Sequence, residues 1–264
     1  MYLCAKLKTI YGFTSFSTSK NHIYSQRNCG QDWEPKRSDN FAHSFAKKGY
    51  VSKIRRGLYC VNNIAKKQPE ANKFQIASSI NPSSFVAYHA AMEYHGLSHQ
   101  TYYDVTIGTT NYFNSFDFDG YHYYSHVMPL NFAIENPIAD SLVRVTSVER
   151  TIIDCIDRID LCGGWEELAN CLQSVSYIRE DQLLTLLQSY DKTALYKKTG
   201  FLLETLHVPV SLDFINKCKV YARNSVCRLT SDGDSDHFCQ SWRIYVPSEL
   251  LNKVLPLFEL VIYT

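Results

Sequence analysis

Apolar and polar positions follow two successive patterns in the segment that ends near residue 61. Apolar residues recur at helical spacing from Phe41 to Ala46, and Gly49 follows where a helix commonly ends in a left-handed residue. Residues 50–55 then alternate between apolar and polar with the period of a strand, and residues 58–61 return as a second strand after an Arg-Gly turn. A short helix followed at once by a basic hairpin is typical of the recognition helix and wing of a winged-helix module.

The rest of the chain carries the patterns of both helices and strands. The Asn-Pro-Ser-Ser segment at 81–84 predicts the start of a helix that carries Phe85 and Tyr88 and ends at Gly96. Runs of both types predict an α/β (α+β) fold, with an N-terminal winged-helix-like module followed by a larger mixed α/β domain. The further predicted elements are strands at 103–109, 121–126, 142–145, 225–230 and 241–246, and helices near 165–175, 180–190, 194–206 and 211–222.

One helix has a predicted cap at its start. Thr146 and Glu149 stand three residues apart ahead of an apolar helical face that includes Ile152 and Ile156, which is the spacing of a capping box. Glu149 and its neighbour could be read as a catalytic acid–base pair, but the capping role already accounts for Glu149. Asp154 is predicted to lie on the polar flank of the same helix.

Charge divides the chain into two parts. The formal net charge is only +1, but residues 1–70 carry 13 Lys/Arg and 4 Asp/Glu, whereas residues 71–264 carry 14 and 22, so a head of +9 precedes a body of −8. Only the head is suited to a polyanionic partner. The length favours two domains, predicted at 1–65, with no confident element in 1–36, and at 73–264 after a polar linker.

The basic residues are most concentrated between 47 and 67. Seven Lys/Arg lie there, and no Asp or Glu occurs from residue 40 to residue 68. In a winged helix, cations of the wing reach the DNA backbone or minor groove while the helix enters the major groove. The concentration therefore predicts a DNA-binding surface, and the alternative is a solvated basic face that contacts nothing.

The most enzyme-like cluster consists of Asp117 and Asp119 with two histidines nearby. Carboxylates two residues apart on a strand share a face and could hold a divalent metal. The Asp119-Gly120 dipeptide between alternating aromatic residues favours a water-facing hairpin tip instead. A second acidic group, at 232–237, lacks the glutamate that ends a calcium-binding EF-hand loop, and a polar loop is the better interpretation. The sequence contains no phosphate-binding glycine loop or nucleophile elbow, and we predict no catalytic residue, metal or cofactor.

The cysteines and the apolar stretches bear on the cell compartment. Nine cysteines include no Cys-x-x-Cys pair, which structural zinc sites usually contain. Cys155 and Cys171 lie in apolar helical patterns, where a reduced thiol behaves as a small hydrophobic group. The longest apolar stretches are shorter than the roughly 20 residues that span a bilayer. These features predict a cytoplasmic protein with no membrane partner.

Several segments occur together in a fixed order: KKGYVSKIRRGLYCV at 47–61, NPSSFVAYHAAMEYHGL at 81–97, LVRVTSVERTIIDCIDR at 142–158, GGWEELANCL at 163–172, TGFLLETL at 199–206 and SWRIYVP at 241–247. In order and spacing they resemble AbiEi-type antitoxins of type IV toxin–antitoxin systems, over about residues 39–250. The resemblance rests on the combination, because each segment alone is a weak signal.

The resemblance implies a winged-helix domain that binds double-stranded DNA at inverted repeats in the chain's own promoter. It also implies a C-terminal domain that counteracts a nucleotidyltransferase-like toxin without forming a stable complex. Residues upstream of Asp39 do not carry the two apolar helical patterns of such a domain. The DNA contacts implied by the resemblance are Lys47, Lys48, Ser52, Lys53, Arg55 and Arg56.

The leading hypothesis is thus a DNA-binding transcriptional repressor that acts as an antitoxin and is not an enzyme. A second hypothesis is an interaction protein with a degenerate winged helix, which the unusual first 36 residues favour. A third is a metal-dependent nuclease or nucleotidyltransferase built on Asp117 and Asp119, although the chain lacks the Gly-Ser plus Asp-x-Asp arrangement expected of the latter.

Overall fold

The fold mixes helices with three β-sheets, which confirms the predicted α/β class. A computed structural model describes residues 14–15, 23–25, 43–63, 65–128, 132–222, 226–230 and 236–250. The chain forms two compact units, here called the sheet unit (Met1–Val86 with Tyr102–Val145) and the helical unit (Ala87–Thr101 with Thr146–Thr264). No helix in the described part of the chain is long and apolar enough to cross a bilayer.

The first sheet of the sheet unit contains the predicted helix and hairpin. Residues 43–47 form α1, and the hairpin follows it directly. Sequence reasoning placed no element before residue 36, yet two short strands lie there, and Ile23 pairs with Cys60. Strands this short are held by pairing with a neighbour, which a local pattern does not reveal. The sheet has the order β1-β2-β4-β3, with β5 paired to β4, and comprises β1 (Thr14–Ser15), β2 (Ile23–Ser25), β3 (Val51–Arg55), β4 (Leu58–Asn63) and β5 (Gln68–Pro69).

The second sheet of this unit follows a helix at the start of the predicted domain 73–264, where the sequence pattern predicts no element. Asn72 caps α2 (Lys73–Ser78), because its Oδ1 accepts hydrogen bonds from the Phe74 and Gln75 amides while the Gln75 side chain accepts one from the Asn72 amide. The sheet has the order β10-β11-β6-β7-β9-β8 and comprises β6 (Phe85–Val86), β7 (Asp104–Thr109), β8 (Phe116–Phe118), β9 (Tyr121–Val127), β10 (Ile134–Glu135) and β11 (Val145–Thr146).

The helix predicted from residue 81 begins later than expected. Phe85 and Val86 are instead a fully buried strand, β6, which pairs antiparallel with β7 and parallel with β11. The Asn81 side chain accepts hydrogen bonds from the Ser83 amide and hydroxyl, so it forms a local turn ahead of the strand. The helix itself, α3, spans Tyr88–Tyr94, and Gly96 follows it as predicted.

Gly108 of β7 allows the Phe85 ring to pack directly on the backbone of the neighbouring strand. The two residues are paired, and a Cβ at position 108 would lie 2.2 Å from the Phe85 ring. We expect Gly108→Ala to lower the free energy of unfolding by about 1–3 kcal/mol, because neither the buried ring nor the strand has room to move. Urea denaturation measures the loss, and adding Phe85→Leu should recover part of it. No loss in the single variant would contradict this packing.

The helical unit begins with α3 and continues after residue 146. A short 3-10 turn, Ile159–Cys162, joins its first two long helices. The late strands form a separate three-stranded sheet of order β12-β14-β13. The remaining elements are α4 (Val148–Asp157), α5 (Trp165–Gln173), α6 (Glu180–Tyr190), α7 (Thr193–Thr205), α8 (Leu212–Tyr221), β12 (Cys227–Arg228), β13 (Asp236–Cys239) and β14 (Ile244–Pro247).

The predicted capping box of α4 is wrong in both of its residues. Ser147 caps the helix, because its Oγ accepts a hydrogen bond from the Arg150 amide, and Thr146 belongs to the preceding strand. Glu149 instead binds Arg179 and accepts hydrogen bonds from its Nε at 2.9 Å and its Nη2 at 2.8 Å. Burial alone would raise the pKa of Glu149, but the hydrogen bonds from Arg179 hold that pKa below its usual value.

The two units divide the chain elsewhere than at the predicted boundary between residues 65 and 73. The hairpin and the second sheet belong to one unit, because β5 extends the first sheet and Lys73 packs its Nζ 4.8 Å from the centre of the Tyr121 ring. Charge composition marked a boundary near residue 70, but side-chain packing continues across it.

Candidate nucleic-acid interface

Gly49 ends α1 and turns the chain into the hairpin. Its φ of 75° lies in the left-handed region, which glycine adopts without a steric penalty. The Gly49 amide donates to the Ala46 carbonyl at 3.0 Å and the Tyr50 amide donates to the Phe45 carbonyl at 3.1 Å, which is the Schellman pattern. The rings of Phe45 and Tyr50 pack with centroids 5.7 Å apart. These contacts determine how the helix end leads into the hairpin.

The hairpin tip consists of Arg56 and Gly57. Arg55 pairs with Leu58 across the strands, so the loop has two residues, and Gly57 has a φ of 78° that again favours glycine. The register shifts between Lys53 and Arg55, which marks a β-bulge. Lys53 is consequently exposed while Arg55, two residues later, is half-buried.

Four of the six predicted contact residues expose their cationic groups. Lys47 and Lys48 lie at the C-terminal end of α1, Lys53 lies on β3, and Arg56 lies at the hairpin tip. None of the four side chains makes an ion pair with a residue that the structure describes. We call these four residues the cationic edge. Their charges are available to phosphate groups, and phosphate contacts position a protein on DNA.

Ser52 is half-buried and makes its side-chain hydrogen bond within the hairpin. Its Oγ donates a hydrogen bond to Asn62 Oδ1 at 2.8 Å, and Asn62 Nδ2 donates in turn to the Gly49 carbonyl at 3.1 Å. Ser52 therefore links the two strands of the hairpin to the end of α1. This contact gives Ser52 a positioning role in the hairpin.

Arg55 packs on aromatic rings of the second sheet. Its guanidinium carbon lies 5.2 Å from the centre of the Phe113 ring and 5.5 Å from that of Phe116. Contacts of a guanidinium with ring faces are favourable and hold the side chain in one orientation. Arg55 also lines a cleft of about 560 Å³ together with residues 80–83 and 111–114. The arginine thus anchors the hairpin to the sheet unit.

The tip of the second hairpin of this sheet adds two exposed lysines. Asn63 Oδ1 accepts hydrogen bonds from the amides of Ala65 and Lys66, each at 3.1 Å, and thereby shapes the turn between β4 and β5. Lys66 and Lys67 are exposed in that turn. Sequence analysis counted both among the basic residues but assigned them to a linker. The Gln-Pro pair of β5 is too short to predict a strand there.

Comparison with known proteins bears on the fold. No protein-family model and no curated protein matches the sequence. Among solved structures, the chain is similar to the crystal structure of the RV2827C protein from Mycobacterium tuberculosis. The sequence identity is 16%, the TM-score is 0.60, and the similarity covers 88% of this chain and 84% of that chain. At this identity the similarity shows a shared fold.

The Asp117–Asp119 cluster lies at the predicted hairpin. Asp119 and Gly120 have φ values of 49° and 79° and form the turn between β8 and β9. Asp117 Oδ1 lies 2.7 Å from His122 Nδ1 across the strands, and its side chain is 85% exposed. The hairpin interpretation is confirmed. Of the second acidic group, residues 231–235 lie outside the described part of the chain.

Asp154 is not on a polar flank, as the sequence pattern suggested, but is buried in the helical unit. Its Oδ2 accepts a hydrogen bond from Arg150 Nε at 3.3 Å, and its Oδ1 accepts one from the Tyr190 hydroxyl. The Arg150 and Asp154 side chains are 0% and 2% exposed. Helical spacing places these two residues on one face, but only the position of α6 reveals that this face is covered.

Proposed function

We propose that this chain is a DNA-binding transcriptional repressor that acts as the antitoxin of a type IV toxin–antitoxin system. The observation that carries the proposal is the cationic edge, which presents four unpaired charges along one helix end and the adjoining hairpin. Such a concentration of exposed Lys and Arg is the electrostatic footprint of a nucleic-acid-binding surface.

Each part of the edge has its own role in this proposal. Lys47 and Lys48 contact the DNA backbone beside the helix, and Lys53 and Arg56 contact it from the wing. Arg55 and Ser52 hold the hairpin in place. Lys66 and Lys67 extend the positive surface beyond the hairpin and add electrostatic attraction without sequence recognition.

The antitoxin part of the proposal is supported by the resemblance to AbiEi-type antitoxins in the order and spacing of six segments. The acidic body, with a net charge of −8 over residues 71–264, is unsuited to DNA. We assign to it the action against a nucleotidyltransferase-like toxin, without a stable complex. In co-expression, the full chain is expected to relieve the growth arrest caused by such a toxin, and persistent arrest would contradict the assignment.

An enzymatic role has less support. Asp117, the residue on which a metal-dependent nuclease would depend, is paired with His122 at an exposed hairpin tip. Metal-dependent cleavage of DNA or nucleotide transfer by the purified chain would favour the enzymatic alternative.

The direct test is a titration of the full-length protein with duplex DNA from the region upstream of its own gene. The measurement is made at about 50, 100 and 200 mM salt, beside an unrelated duplex of equal length. For four phosphate contacts, log affinity should fall against log salt with a slope of about −3.6. Tighter binding to the upstream duplex is expected. Equal binding to both duplexes would contradict a sequence-specific repressor, and weak binding with a slope near zero would leave the interaction-protein hypothesis in its place.

A further inference from the structure

Three side chains that can bind a metal meet in the interior of the helical unit. His89 lies on α3, and Glu167 and Cys171 lie one turn apart on α5. One ligand atom from each lies within 4.8 Å of the other two. The three residues are 4%, 1% and 0% exposed. The cluster is therefore closed to solvent, and it belongs to the helical unit, whereas the cationic edge belongs to the sheet unit.

One oxygen of Glu167 is held in place by backbone groups. Glu167 Oε1 accepts hydrogen bonds from the amides of His99 and Gln100 at 3.0 and 3.1 Å. His89 Nε2 lies 3.1 Å from the same oxygen, and Cys171 Sγ lies 3.5 Å from it. Burial alone would raise the pKa of Glu167, but these hydrogen bonds hold that pKa below its usual value. The two amides therefore fix the orientation of the carboxyl group.

The other carboxylate oxygen of Glu167 lacks a hydrogen-bond donor among the described residues. Oε2 is buried and has no hydrogen-bond partner in the described part of the chain. A buried carboxylate oxygen without a donor or a cation is unfavourable, and native proteins rarely leave one so. A cation bound to the carboxylate within the cluster would balance the charge that its two oxygens share.

Two further buried thiols adjoin the cluster. Cys162, in the turn before α5, lies within hydrogen-bonding reach of both Cys171 and Cys155. All three cysteines are fully buried. Cys162 is thus the sulfur neighbour of Cys171, and it lies just outside the group whose ligand atoms are all within 4.8 Å of one another.

We propose that His89, Glu167 and Cys171 bind a structural zinc ion and that the neighbouring Cys162 moves in as the fourth ligand. Zinc binds nitrogen and oxygen at about 2.0 Å and sulfur at about 2.3 Å, so tetrahedral ligands are separated by about 3.3 Å for N and O and about 3.6 Å for O and S. The corresponding separations here are 3.1 Å between His89 Nε2 and Glu167 Oε1 and 3.5 Å between Glu167 Oε1 and Cys171 Sγ. These two separations agree to within about 0.2 Å, whereas the His89 and Cys171 ligand atoms lie within 4.8 Å of each other and Cys162 has further to move.

The donor types and the charges also favour zinc. Thiolate and imidazole ligands select zinc over magnesium and calcium, which prefer oxygen. A neutral His89 with the Glu167 carboxylate and two thiolates leaves a net charge of −1 around a divalent ion, the same as in a Cys3His structural zinc site. A closed site with four protein ligands is structural, and metal binding would contribute to the folding of α3 against α5.

The test begins with the full-length protein purified from zinc-supplemented cells. Elemental analysis is expected to find about one zinc per chain, and growth in cobalt should give the thiolate-to-cobalt absorption of a tetrahedral sulfur site. Cys171→Ser and Glu167→Gln are expected to lose most of the metal. Cys218→Ser is the matched control, because Cys218 is equally buried on α8 and belongs to no group of candidate ligands among the described residues. Retention of zinc in both ligand variants would overturn the proposal.

A measurement on the wild-type chain covers the case in which the variants do not fold. Removal of zinc with a strong chelator is expected to lower the thermal midpoint by several degrees, and added zinc should restore it. A folded wild-type protein that contains no metal after incubation with zinc would overturn the site. The cluster would then be a hydrogen-bonded network only.

Discussion

Replacing Lys53 and Arg56 together by glutamate is expected to weaken binding to upstream DNA by at least about 100-fold at about 100 mM salt. Each charge-assisted contact contributes about 1.5 kcal/mol or more, and the new carboxylates repel the phosphates. Both residues are exposed, so the free energy of unfolding should change by less than about 0.5 kcal/mol. Fluorescence anisotropy titrations at three salt concentrations measure the affinity. The slope of log affinity against log salt should flatten by about 1.8.

The control for this variant changes the net charge by the same amount at another place. Lys217→Glu with Arg243→Glu alters two exposed cations of the helical unit. If the effect is local to the hairpin, this control should retain most of the affinity and the original slope. An equal loss in both double variants would mean that net charge matters and the hairpin does not. Unchanged binding by the Lys53 and Arg56 variant would remove the wing from the interface.

Arg55 is left out of that variant because its position in the structure differs from the one that a linear pattern suggests. The sequence shows three cations at 53, 55 and 56 and provides no reason to separate them. The aromatic partners of Arg55 lie about 60 residues later in the chain, at Phe113 and Phe116. Substitution of Arg55 would alter the support of the hairpin as well as its charge, so it cannot test DNA contact alone.

The features predicted correctly are those encoded within a few residues. The αL residue at Gly49, the hairpin that follows it and the Asp119-Gly120 turn all depend on local backbone preferences. Strand β6 illustrates the opposite case. Phe85 and Val86 look like the first apolar positions of a helix, but pairing with β7 and β11 on both sides makes them a strand. Such pairing depends on segments far away in the sequence.

The same reasoning applies to the division into units. The charge change near residue 70 and the length predict a separate domain at 73–264. That domain would lack β4 and β5 and the Arg55 side chain that covers Phe113, all of which belong to the same unit as β6 to β11. The buried metal-type cluster was missed for a related reason, because His89 lies about 80 residues before Glu167 and no Cys-x-x-Cys pair marks the place.

The second large effect is expected in the interior of the helical unit. Arg150→Met should lower the free energy of unfolding by about 3–5 kcal/mol, because the Asp154 carboxylate would remain buried without its cationic partner. Lys192→Met is the matched control. Lys192 Nζ lies 2.6 Å from Oδ2 of Asp157, which is on α4 like Arg150 and Asp154. The Lys192 side chain is 52% exposed, so the free energy of unfolding should fall by less than about 1 kcal/mol. Urea denaturation at neutral pH measures both.

A combined replacement separates the ion pair from the packing. Arg150→Met with Asp154→Leu and Tyr190→Phe removes both charges and the hydroxyl that donates to Asp154. Replacing a buried pair by apolar groups of similar volume is often neutral, so this triple variant should be more stable than Arg150→Met alone. A triple variant less stable than the single one would mean that Arg150 acts mainly through its packing.

The pH dependence of Arg150→Met gives an independent check. Burial raises the pKa of Asp154 to about 6, although the Arg150 guanidinium lowers it. The unfolded carboxyl titrates near 3.9. A carboxyl whose pKa is higher in the folded state contributes stability that is fully present below the unfolded pKa and is lost as the pH rises through the folded pKa. Removing the guanidinium raises the folded pKa further, so the deficit of Arg150→Met should grow by about 1 kcal/mol between pH 4 and pH 7. A deficit of equal size at both pH values would show that the Asp154 charge is not its cause.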